Sequence, residues 1–417
     1  MARPAPIRTA GMLAATVMCV AAAATEASAQ TAPGALVLNN QLQLGDVVSG
    51  QTLNVEGATD QVTVSNAATG NSLSGATEGV DLDVRNVQTM NGNTRATTEI
   101  NPTGDTGGII NATTQANGNY LAGGGYGGNL AIDSDQRVGP SEITASTAIR
   151  GGTARLLGGA NVTAAATGNA AALAGNVGVI SGAVHQVSDA SVRAENLAET
   201  QYIPAGAVFG AQAINNAAAV NGEDQSGQSI YIGQRSTGDA VTANTSANAG
   251  NAWDLTGASV ATANQAVIAN KGGSVVARTQ QENFSAVAST AVTTAYDYGR
   301  AVASAEGTGN AASVGNNDKY LELDNSQINS GGVEVRAEFS GAQGYDAYVS
   351  ANAAGNSVTG YACAECQATL NATNNQTNDG NVSASANTTI SGANRNVITG
   401  SNAVGNAATF YVSRPGQ

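Results

Sequence analysis

The phrase "VTAAATGNAAALAG" at 162–175 returns along the chain as "VTVSNAATGNSLSG" at 62–75, "VASAEGTGNAASVG" at 302–315 and "YVSANAAGNSVTG" at 348–360. Its Gly-Asn pair runs through Gly70-Asn71, Gly118-Asn119 and Gly168-Asn169, then Asn215 in "AINNAAAVNG", then Gly309-Asn310, Gly355-Asn356 and Gly405-Asn406. Steps are 46 to 50 residues, except one of 94 that covers two periods and points to a copy displaced to Gly250. A glutamine keeps the same phase at Gln41, Gln88, Gln136, Gln186, Gln234, Gln281, Gln327 and Gln376. Units of one length that are too small to bury a face alone must stack on one another. The chain therefore reads as eight imperfect units of about 48 residues over 41–412, between a lead-in at 30–40 and a tail at 413–417.

Inside each unit the signal is β. "ALVLNNQLQLGDVV", "GVDLDVRNV", "GGVEVRAEF" and "GNVSASANTTI" alternate with period two, the mark of strands with one buried face. Asn91-Gly92 and Asp379-Gly380 fall between such stretches, where tight turns favour residues that tolerate positive φ. The expected fold is all-β: a parallel β-solenoid with the Gly-Asn pairs as turn and ladder positions, where asparagines of successive coils stack their amides. Two coils of about 24 residues per unit would make roughly sixteen coils and a rod of about 75–80 Å. An eight-bladed β-propeller is the alternative, because some blades are about 50 residues long. Blades usually carry aromatic signatures, and Trp253 is the single tryptophan.

The first 29 residues have the layout of a cleaved secretory signal: Arg3 and Arg8, an apolar run, then Ala27-Ser28-Ala29. Cys19 follows Met18, whose size does not suit a lipobox. No later stretch reaches the roughly 20 apolar residues of a spanning helix, so the expected product is exported, with no transmembrane span. The net charge of −14, with lysine only at Lys271 and Lys319, argues against nucleic acid as a partner.

No residue set announces catalysis, a cofactor or a resident metal. His185, the one histidine, lacks a visible orienting partner and reads as a turn residue beside Gln186. Cys363 and Cys366 in "CAEC" suit a local disulfide in an exported protein and cannot complete a zinc site alone. Asp133 and Asp135 would share one strand face, and Asp297, Asp318, Glu322 and Asp324 are further acids of the kind β-helix polysaccharide-cleaving enzymes use. Such an enzyme needs two carboxyls facing across one cleft, and thirty acidic residues supply local pairs without function. The glycine-rich "GGGYGGNLAIDSD" at 123–135 occurs once and lacks the aspartate spacing of a calcium coil. Asn-x-Ser/Thr triplets at Asn111, Asn161, Asn244, Asn283, Asn371, Asn375, Asn381 and Asn387 follow from composition.

Together, the export signal, the Gly-Asn units and the "QTMNGNTRA", "QVSDASVRA" and "QTNDGNVSA" phrases resemble the HfaD family of holdfast anchor proteins. That resemblance implies a structural surface adhesin that fixes an adhesive polysaccharide, the holdfast, to the cell envelope. It further implies an outer-membrane-surface or extracellular location at the attachment pole. The implied partners are the holdfast polysaccharide, a small curli-like subunit and a curli-like secretion lipoprotein. It carries over no catalytic residues. The composition also fits a curli-like amyloid-forming subunit, with strands rich in Gly, Asn, Gln and Ala and few charges. A polysaccharide-cleaving β-helix enzyme is the third reading.

Overall fold

The computed structural model describes residues 34–318, 320–363 and 368–413. The signal segment and the residue Cys366 lie outside the described residues, so neither the cleavage site nor the Cys363 pairing is addressed by the structure. The described chain forms twenty strands. The first three coils are built of β1 (Ala35–Gln43), β2 (Val47–Val55) and β3 (Val62–Glu78), then β4 (Leu82–Met90), β5 (Thr94–Pro102) and β6 (Ile110–Tyr126), then β7 (Leu130–Val138), β8 (Glu142–Arg155) and β9 (Ala160–Asn176). The next four coils have two strands each: β10 (Val179–Ser188) with β11 (Ser191–Glu223), β12 (Gly227–Ser236) with β13 (Ala240–Asn270), β14 (Ser274–Asn283) with β15 (Ala286–Asn316), and β16 (Tyr320–Asn329) with β17 (Val333–Cys363). The eighth coil has β18 (Thr369–Asn378), β19 (Val382–Ile390) and β20 (Asn396–Ser413).

All pairing is parallel, from one coil to the next, in two sheets. One sheet runs β1-β4-β7-β10-β12-β14-β16-β18; the other holds the remaining strands. This is the parallel β-solenoid, and the propeller is excluded. The coil count differs from expectation. Ala35 pairs with Leu82, Val47 with Thr94 and Val62 with Ile110, so one coil consumes a whole 47- or 48-residue unit. There are eight coils rather than sixteen, and the stack climbs about 34 Å at 4.8 Å per step. Stacking also begins at Ala35, ahead of residue 41, because the marker glutamine sits late in its strand rather than at its head.

Each coil is a long flattened loop around two hydrophobic cores. In the second coil, Ala96 and Ile100 of β5 face Ile110, Ala112 and Ala116 of β6 in one core. Leu82 and Val84 of β4 face Leu121 of β6 in the other. Alanine and the branched aliphatics fill both cores, with leucine prominent in the second, because the facing walls are close and each coil adds only one thin layer. At the first and last coils the cores are half-covered, with Val47 and Leu53 at one end and Val382 and Ile390 at the other.

The Asn91-Gly92 and Asp379-Gly380 segments are not hairpin turns. They are corners between strands that go on in the same sense around the coil, and none of these residues has a positive φ. Glycine serves close approach instead: a Cβ on Gly92 would lie 2.0 Å from the Gly45 carbonyl oxygen of the preceding coil.

Candidate functional site

The Gly-Asn pairs lie within the long strands β3, β6, β9, β15, β17 and β20, at the waist between the two cores, rather than at turns. Along β3 the inward positions are Val62, Val64, Asn66 and Ala68, after which the phase slips and Asn71 points inward. The slip lets one strand serve both cores, and it brings the asparagines into a continuous ladder. Asn71 Nδ2 donates to Asn119 Oδ1 at 2.8 Å and Asn119 to Asn169 at 2.8 Å. Asn169 donates to Asn216 and Asn216 to Asn264, both at 2.9 Å. Asn264 donates to Asn310, Asn310 to Asn356 and Asn356 to Asn406, each at 2.8 Å.

This register relocates the irregular copy. Gly168 is followed by Asn215-Asn216, as the repeat suggests, but the next copy is Ala263-Asn264 rather than a displaced Gly250. Asparagine is kept throughout the ladder, whereas the residue before it becomes Asn215 and Ala263 in two coils. In the others it is glycine for close approach, since a Cβ on Gly118 would lie 2.5 Å from the Gly168 carbonyl oxygen.

The marker glutamines form a second ladder across the waist. Gln88 Nε2 donates back to Gln41 Oε1 at 2.9 Å, and the chain continues through Gln136, Gln186, Gln234, Gln281, Gln327 and Gln376 at 2.7–2.8 Å. The two ladders therefore run in opposite directions along the axis. They are also cross-bonded. Asn216 Nδ2 donates to the Arg235 carbonyl at 2.9 Å, one residue past Gln234. Gln234 Nε2 donates to the Gln265 carbonyl at 2.8 Å, one residue past Asn264. Both hydrogens of each interior amide are thus used, one along the axis and one across the coil. The glutamine ladder escaped the sequence reading because glutamine served there only to mark phase.

The other sequence candidates do not converge. His185 is an exposed strand residue, not a turn, with its ring centroid 5.1 Å from that of Tyr231. Asp133 and Asp135 point outward from β7, and Asp135 pairs with Arg137 at 3.1 Å on the open face. Asp324 pairs with Arg278 at 3.5 Å, while Glu322 accepts the Tyr320 hydroxyl at 2.7 Å. Among the described residues no three His, Cys, Asp or Glu side chains gather as metal donors.

One surface concavity stands out, with a volume of about 520 Å³. It lies on the corner where β11, β13, β15 and β17 bend continuously from one wall of the coil to the other. Tyr202, Trp253 and Tyr345 line it with Asn251, Asp297 and Gln343. Trp253 is 62% exposed and Tyr345 52%, although both are large enough to have built a core. Arg300 pairs with Asp254 at 3.2 Å along the rim, and Arg395 pairs with Asp346 two steps further on. The hydrogen bond from Arg395, joined by one from Asn396, holds the Asp346 carboxyl below its ordinary range. Sequence reasoning missed this site. Its signal was the column Trp253, Gly299, Tyr345 at 46-residue steps, legible only once one unit is known to equal one coil.

The family model described as holdfast attachment protein D, HfaD, matches residues 56–332, more than half of the chain. No curated protein and no solved structure matches it.

Proposed function

The chain belongs to the holdfast attachment protein D family, and on that premise we propose that it is the stiff structural link between the adhesive polysaccharide and the cell envelope. A role in holdfast attachment at the cell surface follows from the family. The finer reading, an adhesin that anchors polysaccharide without cutting it, is supported best by the doubly laddered waist. Each coil is tied to the next by backbone pairing on both walls and by two buried side-chain amide hydrogen bonds between them, so a pulling force is shared over many hydrogen bonds at every step. Such uniform tying of coil to coil suits a tether under load. On this reading the protein is exported by a cleaved signal and sits on the outer surface at the attachment pole. There it works beside the curli-like subunit and the secretion lipoprotein that the family resemblance implies.

The test is localisation of the native protein together with deletion. The expected result is a polar focus, with deletion cells that still make adhesive but leave it behind on the surface they touched. Diffuse release into the medium with attachment unchanged would overturn the link. Growth of fibres from purified protein after a seeded lag would favour the amyloid-subunit reading instead.

A further inference from the structure

The concavity on the bent corner is built rather than incidental. Backbone pairing skips Trp253, Gly299 and Tyr345, which occupy the same corner position of three successive coils. Gly299 is the notch between the two rings: a Cβ there would come within 2.9 Å of Trp253 Cδ2 and Cε3. Trp253 and Tyr345 consequently meet across it edge to face, with centroids 6.0 Å apart. Below them Tyr298 is buried, its ring filling the space over Gly344, where a Cβ would lie 2.5 Å from the ring. Its hydroxyl donates to Asn394 Oδ1 of the eighth coil. On the far side the Arg395 guanidinium lies 5.5 Å from the Tyr345 centroid and steadies that ring. Two large aromatic surfaces are thus held open to water by glycine notches, a buried tyrosine floor and a cation.

Three features specify the ligand. Exposed aromatic faces attract flat apolar C–H surfaces by dispersion and by removal of water, and a β-linked pyranose with equatorial hydroxyls has such faces with hydroxyls around the rim. Asn251, Asp297 and Gln343 stand one per coil in paired register beside the rings, where they offer an amide, a carboxylate and a second amide to those hydroxyls. The rim charges Asp254–Arg300 and Asp346–Arg395 neutralise one another, and the net charge of −14 repels polyanions. From Tyr202 in the fourth coil to Asn394 in the eighth the site spans about 19 Å at 4.8 Å per coil, and that step is close to the rise of one pyranose unit.

We propose that this corner is a binding groove for a neutral, linear, β-linked polysaccharide strand lying along the solenoid axis, with Trp253 and Tyr345 as its stacking platforms. The identification of that strand with the anchored adhesive rests on the attachment reading above; the binding itself does not.

The test is affinity electrophoresis of the purified chain in gels containing hydroxyethylcellulose, with titration of cellohexaose. Wild-type protein should be retarded, should bind cellohexaose with little dependence on salt, and should ignore oligogalacturonate. Trp253→Ala with Tyr345→Ala should weaken binding at least tenfold and leave the far-ultraviolet spectrum and melting temperature unchanged. Tyr126→Ala, a change at an exposed ring outside the groove, should bind like wild type. Gly299→Leu, which fills the notch, should weaken binding with both rings still present. Unretarded wild-type protein, or a double variant that binds as wild type does, overturns the groove. Unretarded protein combined with adhesive shed on deletion overturns the groove alone. Retardation with normal attachment on deletion overturns the attachment reading alone.

Discussion

Gln186→Leu is expected to lower the unfolding free energy by about 3–9 kcal/mol, whereas Gln41→Leu should cost about 1 kcal/mol or less. Leucine approximates the volume of glutamine, so the loss measures the amide. In the interior, Gln186 Nε2 donates to Gln136 Oε1 and to the Ala217 carbonyl, and Gln186 Oε1 accepts from Gln234. The substitution leaves three polar groups without partners at a fully buried site, each costing about 1–3 kcal/mol. Gln41 sits in the first coil, where water reaches the ladder end, and it loses only the Ser72 carbonyl and one hydrogen bond from Gln88. Denaturant unfolding of both variants checks the ratio. Equal costs at the two positions would mean that the ladder is not what holds the waist, and that backbone pairing alone does so.

The same ladder explains which parts of the fold the sequence made legible. The period of about 48 residues was plain because every coil must lie on the one before it, and a misplaced asparagine or glutamine would leave buried amides unpaired. The number of coils per period was not plain, because alternation with period two looks the same in a 24-residue coil and a 48-residue one. The discriminating fact was chemical. Gln88 precedes Asn119 by 31 residues, and Asn119 precedes Gln136 by 17, so the two halves of a unit are unequal and do not superpose. They are opposite walls that face each other, bonded through the Gln88 Nε2 to Tyr120 carbonyl contact at 3.0 Å and the Asn119 Nδ2 to Arg137 carbonyl contact at 2.9 Å.

The groove was hidden for a related reason. Trp253 has no aromatic neighbour in sequence, and its partner Tyr345 lies two coils away, across a glycine that carries no signal by itself. The solitary tryptophan weighed against a propeller but did not point to a surface. The acids misled in the opposite sense: Asp133 and Asp135 share a strand face as their spacing requires, yet that face is open, with no wall opposite to make a cleft.

Asn216→Asp should be the more damaging change at neutral pH, and its cost should depend on pH in a direction fixed by the ladder. Asn216 is fully buried, accepts from Asn169, and donates to Asn264 Oδ1 and the Arg235 carbonyl. An aspartate keeps the acceptor but turns both donors into an oxygen facing two oxygens. A buried, uncompensated carboxylate costs about 3–5 kcal/mol. Burial and the facing acceptors both disfavour the charged form, so the folded-state pKa rises above the unfolded value of about 3.9. Between those two values the folded state binds more protons than the unfolded state, and the unfolding free energy falls as pH rises. The deficit relative to wild type should therefore be smallest below about pH 4, where a protonated carboxyl donates its O–H to one of the two acceptors. It should grow through the folded-state pKa and then level off. Asn216→Ala, which has nothing to titrate, should show a deficit that does not change with pH. Unfolding curves of the two variants and wild type at matched pH decide the matter. If the aspartate and alanine deficits stay parallel from acid to neutral, the asparagine is not locked between two acceptors and the amide polarity assigned to the waist is wrong.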